Sequence, residues 1–529
     1  MGVLNPWPRH LATTNRRLTF LIFATLATTF ILFTGRRIYT DENSLRGETG
    51  SGPAIELEGK TLTYLVENIE QTAQYYHLYR VAAPWADVFG EVGQRAVAIR
   101  KWVSLADALP QSDERTRLED AVELALAATF PFLADPPNGS RAPFQSLRRR
   151  FRTDPSQPGS RGIVIPAGKG NLRMACQAIA TISHVLNSSL PIELAYGGDE
   201  DLGPQDRAFV RNLFPDADLS FLDVLSVFND AELQLAKGRW AIKPFALLAS
   251  RFCEVLLADA DAVFVQDPEA VFRQGGYQRK KALMFHDRLI DKARYKNRQA
   301  WWRKQVVHPS AEVDKSLSWT EDYAEEGDSG VVAVDKSRLD VLFGMLHAAW
   351  QNSKDVRESV TYKVMYGDKE SYWFGLELAE GPYEFETHYG GVAGWLGDES
   401  GPREVDEPQV CSYVIAHPDD QDRDLLWYNG SLLKNKLTSK REYLVPTHWM
   451  IDGTWRKGVR PKFSCMKGGD FREISAAQKD VLERSVAEAK KLDVLFDELE
   501  AKAEAAKAEP KAEEPKTEEP KKVGPKKGV

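Results

Sequence analysis

Scarcity narrows this chain first. Its 529 residues hold only four cysteines, Cys176, Cys253, Cys411 and Cys465. That excludes a disulfide-built scaffold, and no Cys-x-x-Cys pair offers a thiolate zinc site. The nine histidines are scattered, so no His cluster argues for a zinc enzyme. Neither a full Gly-x-Gly-x-x-Gly nor a Walker A sequence is present, which removes two familiar phosphate sites. Positive charge is not in excess either. A net charge of -8 gives no global argument for nucleic acid or for an anionic membrane surface as a partner. A phosphate-bearing substrate must then meet local cations or a metal.

What is present begins with a globular composition, 43% hydrophobic and 28% charged, long enough for one large core plus appendages. Residues 18–34, LTFLIFATLATTFILFT, are uncharged and mostly apolar, flanked by Arg16-Arg17 and Arg36-Arg37. They read as an uncleaved membrane anchor after a short cytosolic tail, residues 1–17, with the body on the lumenal side. Sequons at Asn138, Asn187 and Asn429 agree with a lumenal body. Residues 35–155 read as a polar stem and a helical region, with Leu62, Leu65, Val66, Ile69 and then Val97, Ile99, Trp102, Val103 at helical offsets. Arg148-Arg149-Arg150 reads as a solvated basic face before a Pro/Ser/Gly-rich break. Residues 471–506 read as an amphipathic helix, with self-association and packing on the body both open. Residues 507–529, rich in Lys, Glu, Ala and Pro, read as a disordered tail. If the chain has a bridge, Cys411 and Cys465 are the expected pair, while Cys253 reads as a buried thiol.

The chemistry sits in 156–470. Arg161–Pro166, a turn through Gly168-Lys169-Gly170, a helix from about 172 to 187 and a strand at 191–196 form a βαβ unit. Gly168 and Lys169 let backbone N–H groups and an ammonium approach phosphate or a base. The central stretch is RFCEVLLADADAVFVQDPEAVF, residues 251–272. Its apolar run ends in Asp259-Ala260-Asp261. Two carboxylates at the end of a buried strand need a positive partner, and at i, i+2 on extended chain both point to one side. A divalent cation, Mn²⁺ or Mg²⁺, shared with substrate phosphates meets that need. Gly327-Asp328-Ser329-Gly330 precedes another buried strand. Gly367-Asp368-Lys369-Glu370 opens a helix, where acidic residues also suit the dipole. His417 follows a strand at 411–415.

These stretches together resemble a known family. Trp240–Leu247, Glu254–Asp261, Asp267-Pro268 with Phe272, Phe285–Arg288, Gly327–Val332 with Asp335-Lys336, and Gly367–Glu370 look like the fungal α-mannosyltransferases of glycosyltransferase family 71. The resemblance covers about 160–435, with Ala258 as a departure affecting packing. It implies a GT-A fold, that is an α/β architecture around a Rossmann-like mixed, mostly parallel sheet. It also implies GDP-mannose as donor, a mannose-containing glycan as acceptor, Mn²⁺, and a type II anchor in the Golgi membrane. By similarity, Asp259, Asp261 and His417 would hold the metal. Lys243 and Arg288 would face the departing diphosphate, with Asp259 also reaching the donor. Asp328, Asp368 and Glu370 would orient hydroxyls at the reacting centre, and Trp373, Trp395 or Trp427 could stack on sugars or serve the core. The linkage, α-1,3 or α-1,2, stays open. So do a UDP-sugar donor and a non-catalytic Golgi scaffold.

Overall fold

The computed structural model describes residues 59–508 apart from 152–159, 399–400, 403–406, 421–423 and 459–461. The expected anchor, cytosolic tail, early stem and terminal tail lie outside the described residues. Among the described residues, no helix is long and apolar enough to cross a membrane.

Four helices come first: α1 (Gly59–Leu78), α2 (Phe89–Ala108), α3 (Asp113–Thr129) and α4 (Pro143–Phe151). They are a packed layer rather than a stalk. Phe89 is fully buried and meets Trp301 and Trp350 edge-on, each at 4.9 Å between ring centroids. The basic run is a solvated face only in part. Arg149 and Arg150 are exposed, Arg150 donating to the Ala249 carbonyl at 2.8 Å, whereas Arg148 is buried against Asp107 at 2.5 Å. Its guanidinium found an acceptor that only the fold brings near.

The main sheet grows from β1 (Arg161–Pro166), α5 (Leu172–Ala180), β2 (Ile192–Tyr196), β3 (Leu219–Asp223), α6 (Ile242–Ala249), β4 (Glu254–Ala258), β5 (Ala262–Phe264), β6 (Ala282–His286), β7 (Gly327–Asp335), α7 (Leu339–Gln351), α8 (Ser371–Leu378) and β8 (Glu384–Phe385). Its order is β3-β2-β1-β4-β7-β6-β8. β4 pairs parallel with β1 and antiparallel with β7, so the sheet is mixed. Val255, Leu256 and Leu257 are fully buried, as a strand covered on both faces requires.

A second sheet contains β9 (Val392–Asp398), β10 (Gly401–Pro402) and β11 (Gln409–Ser412). After the excursion through β12 (Ile415–Pro418) and β13 (Leu425–Asn429), it is completed by β14 (His448–Ile451), β15 (Thr454–Arg456), β16 (Ser464–Lys467) and β17 (Asp470–Glu473). Cys411 and Cys465 are bonded, while Cys176 and Cys253 are buried thiols. The small sheet β12-β13-β5 hooks the chain after Asp261 to the excursion.

The last helix, α9 (Ala476–Ala508), spends its apolar stripe on the body. Leu482, Ser485, Val486, Ala489, Leu492 and Phe496 are all buried there. Self-association through 476–506 therefore has no apolar seam left to use on that stripe. Arg173 fastens the helix through Asp493 at 3.3 Å and Glu500 at 3.1 Å.

One buried group couples the helical layer to pH. His347 on α7 bonds the Phe89 carbonyl through Nε2 at 3.0 Å and Gln351 through Nδ1 at 3.1 Å. Burial lowers its pKa to about 4. The unfolded chain then binds the extra proton between about 4 and the ordinary value of 6.5, so stability falls as pH falls through that window. The full effect is roughly 3 kcal/mol. Unfolding followed at pH 7 and pH 4.5 should show His347→Gln less pH-sensitive than the parent; parallel slopes would exclude this role.

Candidate active site

The site forms where β4 ends. Because β7 runs antiparallel to β4, its first residues lie beside the last residues of β4, with Ala258 opposite Val331. The Asp259 N–H donates to the Gly330 carbonyl at 2.8 Å. Asp328 is thereby delivered to the Asp259–Asp261 segment. That segment is a turn between β4 and β5, not extended chain, since Ala262 N–H donates back to the Asp259 carbonyl at 3.0 Å. The two carboxylates consequently take different partners.

Asp259 faces Lys243, which stands on α6. The Lys243 ammonium lies 2.8 Å from Asp259 Oδ1 and 3.2 Å from Asp368 Oδ2, and donates to the Ser329 carbonyl and hydroxyl, each at 2.9 Å. Only 4% of it is exposed. The expectation that Lys243 faces the diphosphate directly gives way to an internal tie between two carboxylates. Burial, together with the charges of Asp261 and Asp368, raises the Asp259 pKa to about 7 against the pull of Lys243.

Asp261 faces outward to Lys436, whose ammonium contacts Oδ2. Its carbonyl accepts from Gly430 and Ser431 N–H groups at 3.2 and 2.8 Å, which fixes the turn independently of the carboxylate. Lys436 also lines a cavity of about 240 Å³ with Lys169, Gly170, Asn171 and Lys440, walled by Phe496 and Leu499 of α9. Lys169 is exposed there, and Gly168 N–H is held by Asn171 Oδ1 at 2.9 Å.

Asp328 is bracketed by His417 Nε2 at 3.1 Å and Asn429 Nδ2 at 2.7 Å. Although burial alone would raise it, the His417 hydrogen bond and charge hold the Asp328 carboxyl below its usual value. His417 is fully buried and stacked on Trp427 at 4.3 Å. The structure gives it to Asp328 rather than to Asp259 or Asp261. Gly330 leaves room for this arrangement: a Cβ there would sit 2.7 Å from Asn429 Nδ2 and 2.9 Å from the Trp427 ring. The sequon at Asn429 is corrected accordingly, because its amide is committed inside the site. Asn138 and Asn187 are exposed.

Neither acidic residue at the start of α8 caps it. Glu370 lies at the cap position without a side-chain cap bond. Its carboxylate instead accepts from Glu326 N–H at 3.1 Å, Gly327 N–H at 3.3 Å and Trp373 Nε1 at 2.5 Å. Burial and Glu325 raise its pKa to about 8. Asp368 accepts from Tyr372 Oη at 2.8 Å. Arg288 turns back on Asp287 Oδ1 at 3.2 Å and covers Trp455, so it is a paired cation rather than a diphosphate ligand. Trp373, Trp395 and Trp427 are buried and offer no sugar-stacking face.

Lys436 and Tyr372 have no motif of their own and come to the site only through the fold, while Asn429 and Ser329 lay in stretches read for other roles. The donor chemistry of the turn fits Mn²⁺ or Mg²⁺: hard carboxylate oxygens from Asp259 and Asp261 beside a half-exposed ammonium that marks a cation position. Among the described residues, no three His, Cys, Asp or Glu side chains form a closed metal cluster.

Residues 160–419 match the family model described as "Mannosyltransferase putative". Alpha-1,3-mannosyltransferase MNN1 of Saccharomyces cerevisiae is 24% identical over 367 residues, covering 60% of this chain and 46% of that protein. Alpha-1,3-mannosyltransferase MNT2 of the same yeast is 26% identical over 351 residues, covering 61% and 59%. The chain thus spans about half the length of these relatives. The solved mannosyltransferase Ktr4p of S. cerevisiae is 11% identical over 48% of this chain and 76% of that one, with a TM-score of 0.25, too low to carry an argument. The segment 160–419, which carries Asp259, Asp261, Asp328, Asp368 and His417, is thus similar to the mannosyltransferase family.

Proposed function

We propose that this chain transfers mannose from GDP-mannose to a mannoside acceptor on a glycan, with retention, in an α-1,3 linkage and with a divalent cation. The observation that carries the reading is the split pair at the end of β4: Asp261 is paired with Lys436, which lines a cavity with Lys169 and Lys440, and Asp259 is tied inward through Lys243 to Asp368. The match of residues 160–419 to the mannosyltransferase family model and the printed α-1,3 activity of the relatives support it.

Asp259 and Asp261 would hold the cation, which when bound supplies positive charge to the departing diphosphate. Lys436 adds a movable ammonium on the same side, and Lys169 and Lys440 line the space for the nucleotide. Lys243 holds Asp259 and Asp368 close together in a buried setting. Asp328, oriented by His417 and Asn429, and Asp368, oriented by Tyr372, are placed to accept sugar hydroxyls. Glu370 shapes the turn beneath them. The same reading places the chain in the Golgi membrane as a type II protein anchored by 18–34, supported by that apolar run, two exposed sequons and a disulfide.

The test is transfer by the full chain from a panel of sugar nucleotides to α-mannobiose, after chelation and with Mn²⁺ restored. Transfer should require GDP-mannose and Mn²⁺. Transfer from UDP-sugars alone would reassign the donor, and no manganese binding with no transfer from any donor would end the enzyme reading.

A further inference from the structure

Beside the turn that presents Asp368, the chain carries two exposed rings. Trp240 is 40% exposed and Tyr366 is 55% exposed. Their centroids lie 5.5 Å apart, and Tyr362 approaches Trp240 at 6.4 Å. Among the described residues, Trp240 is the only exposed tryptophan. Exposed aromatic area contributes little to stability, so a pair of such rings at a site calls for a ligand.

Both rings are linked to the reacting carboxylates by very short stretches of chain. Trp240 precedes Lys243, the residue that ties Asp259 to Asp368. Tyr366 precedes Asp368 with only Gly367 between. Gly367 has φ +69°, and a Cβ there would meet the indole at 3.0 Å, so the turn that presents Asp368 is shaped against the Trp240 ring. Lys369 Nζ lies 5.8 Å over the Tyr366 ring and also pairs with Asp287 at 2.5 Å. Apolar ring faces bordered by carboxylate and ammonium match a pyranose, which has an apolar C–H face and a rim of hydroxyls. The rings stand at the turn that precedes Asp368, and neither lines the cavity bordered by Lys436 and Lys169. That separation favours acceptor over donor.

We propose that Trp240 and Tyr366 form an acceptor subsite on which a hexopyranose ring of the mannoside stacks, a reading that rests on the function proposed above. Trp240→Ala and Tyr366→Ala should each raise the acceptor KM about tenfold, with the loss in acceptor KM rather than donor KM, and Trp240→Phe should recover most of it. Because both rings are exposed, thermal unfolding should hardly change. A second readout needs no turnover: α-mannobiose should shield the parent's tryptophan fluorescence from acrylamide, and Trp240→Phe should lose that shielding. Shielding without transfer from any sugar nucleotide would keep the subsite and sink the functional reading. Transfer with unchanged acceptor KM, a shift in donor KM instead, or no shielding would overturn the subsite.

Discussion

Asp261→Asn should lower transfer by on the order of 10²–10³-fold while leaving the fold intact. The side chain keeps its size, and the turn is held by the Asp261 carbonyl through Gly430 and Ser431 rather than by the carboxylate. What disappears is the negative charge that balances Lys436 and, in the proposed mechanism, the cation beneath the leaving diphosphate. The effect should sit in turnover and in manganese affinity together, read by initial rates against metal concentration and by calorimetric titration. Asp261→Ala with full activity would remove the metal role altogether. Lys436→Ala should have a smaller effect, because its ammonium is half-buried and serves only one side of the charge.

The second large effect is structural. Lys243→Met should destabilise the protein by about 3–5 kcal/mol, the usual consequence of stranding buried charge. Lys243 gives its ammonium to four oxygens, two of them on the carboxylates of Asp259 and Asp368. Methionine fills the volume but supplies no donor, so both carboxylates lose their shared cation in a water-poor setting. Adding Asp368→Asn should recover part of the loss, since one unbalanced charge is then gone. Denaturant unfolding of the two variants measures this directly. A single variant within about 1 kcal/mol of the parent would show that Lys243 is dispensable to the fold.

Much of the architecture follows from local pattern. β4 and β7 are near-continuous apolar runs with carboxylates at their ends, and such runs have few alternatives to a buried strand. Asp259, Asp261, Asp328 and Asp368 stand out because acidic groups next to apolar runs demand a partner. The partners were not legible. Lys436 lies 175 residues from Asp261, and Asn429 lies 101 from Asp328; no periodicity reports on such distances. The same reason hid the acceptor of Arg148, which looked like surface charge. The bend at Ala260 was missed because strand periodicity runs smoothly across it, while the pairing of β5 with β13 turns the chain there. For α9, seven-residue spacing fitted two outcomes equally, and only the neighbouring body decides between them.

The Cys411–Cys465 bond lies 54 residues apart in sequence, and the span it closes contains His417, Asn429 and Lys436. Three of the groups that orient or balance the acidic centre thus ride on one covalent hoop, threaded against β5 by strand pairing and apolar packing. By the chain-entropy estimate, a ring of that size narrows the unfolded ensemble by about 4 kcal/mol. Reduction should therefore cost the enzyme its alignment before its main sheet, with Asp328 losing both attendants in a single event.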